Sequence, residues 1–500
     1  MPRGRSPRSS PLATRSSQMP RRTKIVATLG PATDNDRVMD DMLAAGVDVV
    51  RLNLSHDTHE RHRERVERMR ARTVAAGGNR QVAFLLDLQG PKIRIGRFAD
   101  GPIELAPGDP FVIDSHCQID AGSRSRVGTT YPTLAGDVHP GDRLLLDDGA
   151  IELLVNAVDG TRIDCRVVVG GRLSSNKGIN KKGGGLSAPA LTDKDREDIR
   201  FAASLGADYL AVSFVRNGDD IRLARELFRE AGGTGGIVAK IERAEALDAL
   251  DDIIEAADVV MVARGDLGVE IGDATLPAVQ KQLIHRAREL NSVVITATQM
   301  MQSMIENPIP TRAEVFDVAN AVLDGTDAVM LSAESSVGKD PAKVVEALDR
   351  ICFEAERHVT RSSHRLNTIF GRVDEGIAMA AMYTANHLGV KAIAALTETG
   401  STTKWMSRIS SGIPIYAMTR NAETRRKVRL FRGVYPVAFD VGSTDVHLVN
   451  QEVIEELLRR GAVRQGDLVI ISKGDRKGVE GQTNLMKIMR VGEHRAPAED

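Results

Sequence analysis

The sequence predicts an α/β protein: a (β/α)8 barrel carrying an inserted small β-barrel-like domain and followed by a C-terminal α/β domain. Three observations carry that expectation. Short Val- and Ile-rich runs alternate with helix-like stretches from residue 23 onward, which reads as parallel βα units. Residues 91–188 break the rhythm with short β-like pieces punctuated by Gly, Pro and Asp. A second α/β alternation begins after residue 356.

The expected barrel strands are 24–29, 47–55, 82–88, 208–215, 236–242, 258–264, 292–298 and 327–332. Helical stretches at 57–76, 193–205, 244–257, 276–290, 311–323 and 341–356 lie among them. Eight such units suggest closure into a barrel. An open doubly wound sheet is the competing topology, weakened because no GxGxxG turn follows the first run. The barrel is thus expected over 19–90 and 189–357. The β-like runs at 111–113, 143–146, 151–158 and 162–169 fall in the insert, placed where a lid over a barrel site would sit. The polar stretch 357–372 reads as a linker. The C-terminal domain, 358–500, is expected to hold a helix at 376–388 and strands at 392–396, 413–417, 433–438 and 468–472.

Composition narrows the function. A 500-residue chain exceeds a single core, and 42% hydrophobic against 27% charged residues is ordinary for a globular protein. A net charge of −1 argues against a nucleic-acid partner, which calls for a basic excess. Cys117, Cys165 and Cys352 are odd in number and widely spaced, unlike a disulfide framework or a zinc site. No apolar run approaches the ~20 residues of a membrane-spanning helix, so the expected location is the cytoplasm. The first twenty residues are rich in Arg and Ser and free of acid, as in a transit peptide, but Pro2, Pro7 and Pro11 spoil an amphipathic helix. A disordered tail over 1–18, or an overextended start with translation beginning at Met19, is the expected reading.

The chemistry is expected where the strands end. In VDVVRLNLSH, Arg51, Asn53 and Ser55 alternate with Leu52 and Leu54, so a period of two puts the polar three on one face. Lys240 and Glu242 share a face at the end of the fifth run, and the same spacing recurs at Arg264 and Asp266. Asp87, Thr298, Ser332 and Glu334 end the third, seventh and eighth runs. One polar strand end is commonly a cap or an ion pair. Six in phase match the C-terminal rim on which barrel active sites are built. Glu242 and Asp266 are hard oxygen ligands suited to Mg²⁺, and the absence of His and Cys there argues against zinc. Lys240, Arg51 and Arg264 are expected to add positive charge beside the metal, the combination phosphoryl transfer uses.

Seven ordered blocks now add a resemblance. TKIVATLGPA (23–32), VRLNLSH (50–56), GPKIRIG (90–96), AKIERAEAL (239–247), MVARGDLGVEI (261–271), ITATQMMQSMIENPIPTRAEVFDVANAV (295–322) and DAVMLSAESSVGKDP (327–341) resemble pyruvate kinase segments. The resemblance implies transfer of a phosphoryl group from phosphoenolpyruvate to ADP, giving pyruvate and ATP, the last step of glycolysis. It implies that Arg51 binds the substrate phosphate and that Lys240 stabilises the moving phosphoryl group and the enolate. Glu242 and Asp266 would hold Mg²⁺ or Mn²⁺. The backbone around Gly265 and the Thr298 hydroxyl would meet the substrate carboxylate, with Thr298 on the face where the enol is protonated by it or by a water chain. Asn53, His56, Arg94 and Lys177 match nucleotide-phosphate positions. A homotetramer is implied as well.

The run DLQGPKIRIG departs from the commoner family pattern. Leu88, Gln89, Lys92 and Ile95 stand where many members carry Thr, Lys, Glu and Thr. In potassium-dependent members Asn53, Ser55, Asp87 and residue 88 would surround K⁺, and the Lys92 ammonium resembles a permanent substitute for the ion. K⁺ is therefore expected not to be required. The stretch LTETGSTTKWMSRIS resembles the family's effector loop, with Thr397, Thr399, Gly400, Ser401, Thr402 and Thr403 offering donors to a phosphorylated small molecule. Taken alone, such a cluster is more often a plain loop. Two rivals remain minor. A phosphoenolpyruvate or pyruvate barrel without a nucleotide would lack the insert bearing Lys177, and a degenerate, non-enzymatic barrel would have lost one of Arg51, Lys240, Glu242, Asp266 or Thr298.

Overall fold

The computed structural model describes residues 20–77, 81–358, 370–441, 446–474 and 483–493. Two compact units are present, Thr23–Ile351 and the chain from Cys352 onward joined by residues 20–22. The tail expected over 1–18 and most of the expected linker lie outside the described residues.

The first unit is a closed parallel barrel of eight strands: β1 (Lys24–Thr28), β2 (Val49–Asn53), β3 (Ala83–Asp87), β4 (Tyr209–Val212), β5 (Gly236–Ile241), β6 (Val259–Ala263), β7 (Val293–Ala297) and β8 (Ala328–Leu331). They neighbour one another in chain order and β1 closes on β8. All are buried but for the end of β2, as parallel strands covered on both faces must be. The expected runs were too long at their C-terminal ends, and all but those starting at 24 and 236 were too long at their N-terminal ends as well. Asp48, Asp208, Asp258 and Asp327 stand just before the even-numbered strands, and each carboxylate accepts the backbone N–H of a residue on the preceding odd strand. The pairs are Asp48 with Ile25 (3.0 Å), Asp208 with Phe84 (2.9 Å), Asp258 with Ile237 (2.8 Å) and Asp327 with Val294 (2.9 Å). This four-fold stitch lies at the N-terminal end of the barrel, the end that serves stability rather than chemistry.

At the other end the strands stop sooner than the period of two suggests. β6 ends at Ala263, and Arg264–Ile271 is a helix. Residues two apart on a helix do not share a face, so Arg264 and Asp266 diverge, which corrects the expected pairing. β8 likewise gives way to the short helix Ala333–Ser336. There Glu334 is fully buried and accepts the N–H groups of Met301 (3.1 Å) and Ser332 (2.7 Å), a structural role. The helix Arg312–Asp324 shows how sequence sets such boundaries. Thr311 and Glu314 form a capping box at its start, and Gly325 at φ 98° closes its end.

Between β3 and the helix Asp193–Ser204 lies the insert. Six strands form one sheet in which only Pro110–Asp114 and Arg126–Val127 pair in parallel, and Ile103–Leu105 pairs separately with Gly171–Leu173. Ile151, Leu153 and Val155 alternate inward on one strand and join Phe111, Leu144 and Ile163 in a core of the insert's own.

The second unit carries the helix Val373–Leu388 and a five-stranded sheet. Its strands are β9 (Ala392–Leu396), β10 (Ile415–Thr419), β11 (Val434–Ala438), β12 (Leu468–Gly474) and β13 (Thr483–Arg490), in the order β11-β10-β9-β12-β13. Only β12 and β13 are antiparallel. β13 had not been expected. Its TNLMKIMR is short of β-branched residues and sits at a sheet edge. Arg22 enters this unit, its backbone N–H bonding Glu356 Oε2 at 2.8 Å and its guanidinium the Glu356 carbonyl at 2.7 Å. The three cysteines are free, and no helix among the described residues is long and apolar enough to cross a membrane.

Candidate active site

Lys240 lies one residue before the end of β5, and its ammonium is buried in a cluster of three partners. Nζ lies 2.8 Å from Glu242 Oε1 and 3.2 Å from Asp87 Oδ1, and it donates to Ser213 Oγ at 2.6 Å. Burial drives the Lys240 pKa down, but Asp87 and Glu242 outweigh it and hold the pKa above the ordinary lysine value. Asp87, at the end of β3, receives Arg51 Nε on its other oxygen at 2.7 Å. Burial would raise its pKa, and the two cations hold it below the usual carboxylate range. Arg51 is fixed a second time by Thr28 Oγ1 at 2.9 Å, its neighbour in register on β1. Asn53 and Asp87 are register partners across β2 and β3.

These residues form one wall of a cavity of about 660 Å³ at the C-terminal end of the barrel, with Asn53, Ser55, Lys92, Asp266 and Thr298 also lining it. A second cavity of about 350 Å³ adjoins it, bounded by the insert's Arg94, Asp147 and Lys177 and sharing His56, Lys92 and Asp266 with the first. Arg94 Nη1 donates to the Asn176 carbonyl at 2.8 Å, and Lys177 pairs with Asp147 at 2.7 Å. Burial, then Lys92 and Arg51, push the His56 pKa down.

Glu242 and Asp266 are the donors that could hold a divalent cation. Burial raises the pKa of each, and for Glu242 the neighbouring Asp266 raises it further against the pull of Lys240. A buried and a half-buried carboxylate that oppose one another's charge fit a shared cation. Glu242 Oε2 is already taken by the Phe214 N–H at 2.8 Å, whereas the Asp266 carboxylate has no side-chain or backbone partner in another residue among those described. No cluster of three or more potential ligands occurs among the described residues, so a cation here would draw its remaining oxygens from substrate and water, as Mg²⁺ does.

Thr298 is held in an unusual conformation. Its φ is 67° and that of Gln299 is 54°, the left-handed region that costs a non-glycine residue about 1–3 kcal/mol. Its Oγ1 accepts the Gly265 N–H at 2.9 Å and donates to the Ala297 carbonyl at 2.6 Å. Such strain concentrates where function demands a geometry.

Sequence comparison places this geometry. Residues 20–345 match the family described as pyruvate kinase, barrel domain, and residues 375–489 match pyruvate kinase, alpha/beta domain. The chain belongs to the pyruvate kinase family. Pyruvate kinase II of Salmonella typhimurium is 54% identical over 94% of this chain and 99% of its own length. A pyruvate kinase of Haemophilus influenzae is 51% identical over the same shares, and one of Mycobacterium tuberculosis is 44% identical over 95% of this chain and 99% of its own. The crystal structure of a Cryptosporidium parvum pyruvate kinase superposes with a TM-score of 0.88 at 32% identity, covering 94% of this chain and 96% of that one. The chain is thus a phosphotransferase of the pyruvate kinase type, with the barrel and C-terminal α/β architecture of that family.

Within this pyruvate kinase the structure brings Arg51, Asn53, Ser55, His56, Lys92, Lys240, Glu242, Asp266 and Thr298 to one cavity, with Asp87 beneath them. Gly265 reaches that cavity through its bond to Thr298, and Arg94 and Lys177 lie on the adjoining one. Arg264 departs from expectation. Its guanidinium pairs with Asp317 at 2.6 Å and is not on either cavity wall, so it does not supply charge beside a metal. The reason is the helix that begins at Arg264, which takes the side chain off the cavity wall and buries it under the turn after β7.

Lys92 is brought inward by the turn at Gly90. That residue has φ 67°, and a Cβ on it would lie 2.8 Å from Ser213 Cβ, so only glycine fits. Burial, then Arg94 and Lys240, lower the Lys92 pKa, and its ammonium has no ion-pair partner among the described residues. Sequence reading missed Ser213, Phe214 and Glu270. Glu270 lies four residues after Asp266 on one helix and lines the second cavity, and burial raises its pKa to about 7. A helical rather than strand period from Arg264 would have paired the two carboxylates.

In the C-terminal unit only residues 397–400 of the expected effector loop are loop; they follow β9 directly, and Ser401–Ser407 is a short helix with Gly400 at its N-terminus. Gly400 has φ 86°, and a Cβ there would meet Val428 at 2.7 Å. Thr397 accepts the Gly400 N–H, Thr403 donates to the Gly400 carbonyl, and Thr402 pairs with Thr483. Among the described residues the Thr399 and Ser401 hydroxyls bond only to one another, at 3.3 Å.

Proposed function

We propose that this enzyme transfers the phosphoryl group of phosphoenolpyruvate to ADP, forming pyruvate and ATP, with the side chains of the barrel rim in the roles the family resemblance implies. The observation that carries this reading is the Lys240 ammonium, buried among Asp87, Glu242 and Ser213 and kept charged by the two carboxylates. Arg51 binds the substrate phosphate. Lys240 neutralises charge on the phosphoryl group as its bond to the enol oxygen breaks, and on the enolate left behind. Arg94 and Lys177, with Asn53 and His56, orient the nucleotide phosphate whose oxygen forms the new bond. The Thr298 hydroxyl and the backbone around Gly265 meet the substrate carboxylate, and the enolate carbon takes its proton on that face, from Thr298 or along a water chain. Glu242 and Asp266 would hold Mg²⁺ or Mn²⁺, which would supply counter-charge for the substrate oxygens. Turnover in the cytoplasm as a homotetramer completes the reading. A lactate dehydrogenase-coupled assay with phosphoenolpyruvate, ADP and Mg²⁺ tests it, and absence of pyruvate formation would refute it.

Potassium independence is the finer part of the reading. What supports it is Lys92, which lines both cavities beside Asn53 and Ser55 instead of pairing with a surface acid. An attached cation needs no binding equilibrium, so the rate should stay flat when K⁺ is replaced by tetramethylammonium at fixed ionic strength. Lys92→Glu should depress the rate by about tenfold or more and make part of the loss recoverable with K⁺. A steep dependence of the native enzyme on K⁺ would end this reading.

Control by a phosphorylated metabolite through the loop 397–403 is also proposed. Among the described residues the Thr399 and Ser401 hydroxyls bond only to each other, by a long bond that a phosphate oxygen could replace. Ser401→Glu places an anion against an anion and should abolish activation, read as the ratio of rates with and without sugar phosphates or AMP. An unchanged ratio would retire the idea.

A further inference from the structure

We propose that Arg264 is a positioning residue that holds Thr298 in its left-handed conformation and so aims the Thr298 hydroxyl. The proposal rests on the role given to Thr298 above. Arg264 opens the helix that follows β6, and its side chain is 8% exposed. The guanidinium spans the turn after β7. Nε donates to the Ala297 carbonyl at 3.1 Å and Nη2 to the Thr298 carbonyl at 2.6 Å, with Met300 Sδ 2.8 Å from the same nitrogen. From behind, Asp317 Oδ1 accepts from Nη1 at 2.6 Å and Gln280 Oε1 at 3.3 Å. These two come from the separate helices Arg312–Asp324 and Leu276–Glu289.

The next residue completes the grip. Gly265 N–H donates to Thr298 Oγ1, so two successive residues hold both the backbone and the side chain of Thr298. A β-branched residue at positive φ persists only where its surroundings over-determine it, and these contacts are such surroundings. Two adjacent carbonyls facing one planar fork also explain why the group is an arginine. A lysine ammonium is a point charge and cannot span both carbonyls and Asp317 in that geometry.

Arg264 lines neither cavity, so on this proposal its effect on turnover passes through Thr298. A double-mutant cycle on the full-length enzyme reads that coupling. Arg264→Lys should lower kcat at least about tenfold in the native background and less than about threefold when Thr298 is already alanine. KM for ADP should stay within about twofold, since Arg94 and Lys177 are untouched. An equal loss of kcat in both backgrounds would overturn the proposal. If Arg264→Lys does not fold, Asp317→Asn loosens the fork while leaving it in place, and the same cycle is read with that variant. A Thr298→Ala enzyme with native kcat would remove the role of Thr298, and the proposal with it, while leaving the phosphoryl-transfer assignment to Lys240 intact.

Discussion

Lys240→Met should lower kcat by about a thousandfold, roughly 4 kcal/mol of transition-state stabilisation, at saturating phosphoenolpyruvate and ADP. The size follows from where the ammonium sits. It is buried, touches Glu242, Asp87 and Ser213, and stays charged because the two carboxylates outweigh the cost of burial. A preorganised cation in a water-poor site acts on developing charge without reorganising, and methionine keeps the volume while removing the charge. The variant should also melt a few degrees lower, since a buried pair that loses one partner leaves the other uncompensated. Two contacts limit that loss. Asp87 keeps Arg51 at 2.7 Å and Glu242 keeps the Phe214 N–H at 2.8 Å. Stopped-flow or coupled kinetics, read beside circular dichroism melts, separates the two effects. A variant retaining a tenth of native kcat would show that Lys240 is not the principal charge stabiliser.

The rim of the barrel was legible because strand geometry is short-range. Arg51 and Asn53 alternate with buried Leu52, and a period of two suffices to put them on one face. The same rule failed at Arg264 because it was carried one residue past Ala263. Ala263 has no polar side chain to cap the helix, and the one start signal, Asp266 in the first turn, reads equally well as a ligand at a strand end. Partners from other strands were hidden for a different reason. Ser213 meets Lys240 across 27 residues, and the Phe214 N–H meets Glu242 across 28, through a backbone turn at φ 55° that sequence does not announce. The barrel's N-terminal stitch lay open but unread. VDVV, ADYL, ADVV and TDAV each begin an even strand, and their four aspartates all reach back to the preceding odd strand. That repeat is a sequence signature of alternate strands in this barrel, set by the backbone N–H each odd strand leaves open at its start.

Asp266→Asn and Glu242→Gln should each raise the Mg²⁺ concentration for half-maximal rate by at least about tenfold, because each removes one of two anionic oxygen ligands. The two should differ in stability, and the difference is the sharper test. Both Glu242 oxygens accept, one from Lys240 Nζ at 2.8 Å and one from the Phe214 N–H at 2.8 Å. A glutamine offers one acceptor and one donor, so its amide must face a donor with a donor, and a buried mismatch of that kind costs about 1–3 kcal/mol. The Asp266 carboxylate is half-buried on the cavity wall with no partner in another residue among those described, and desolvation there has pushed its pKa up. Ionised Asp266 is therefore a load on the metal-free fold, which asparagine relieves. Without Mg²⁺, Asp266→Asn should melt at or above the native temperature and Glu242→Gln several degrees below it. With saturating Mg²⁺ the native enzyme should gain stability by mass action, and both variants should gain less. Calorimetric melts across an Mg²⁺ series, beside activation curves, read all four quantities. Unchanged activation curves in both variants would move the metal to other ligands.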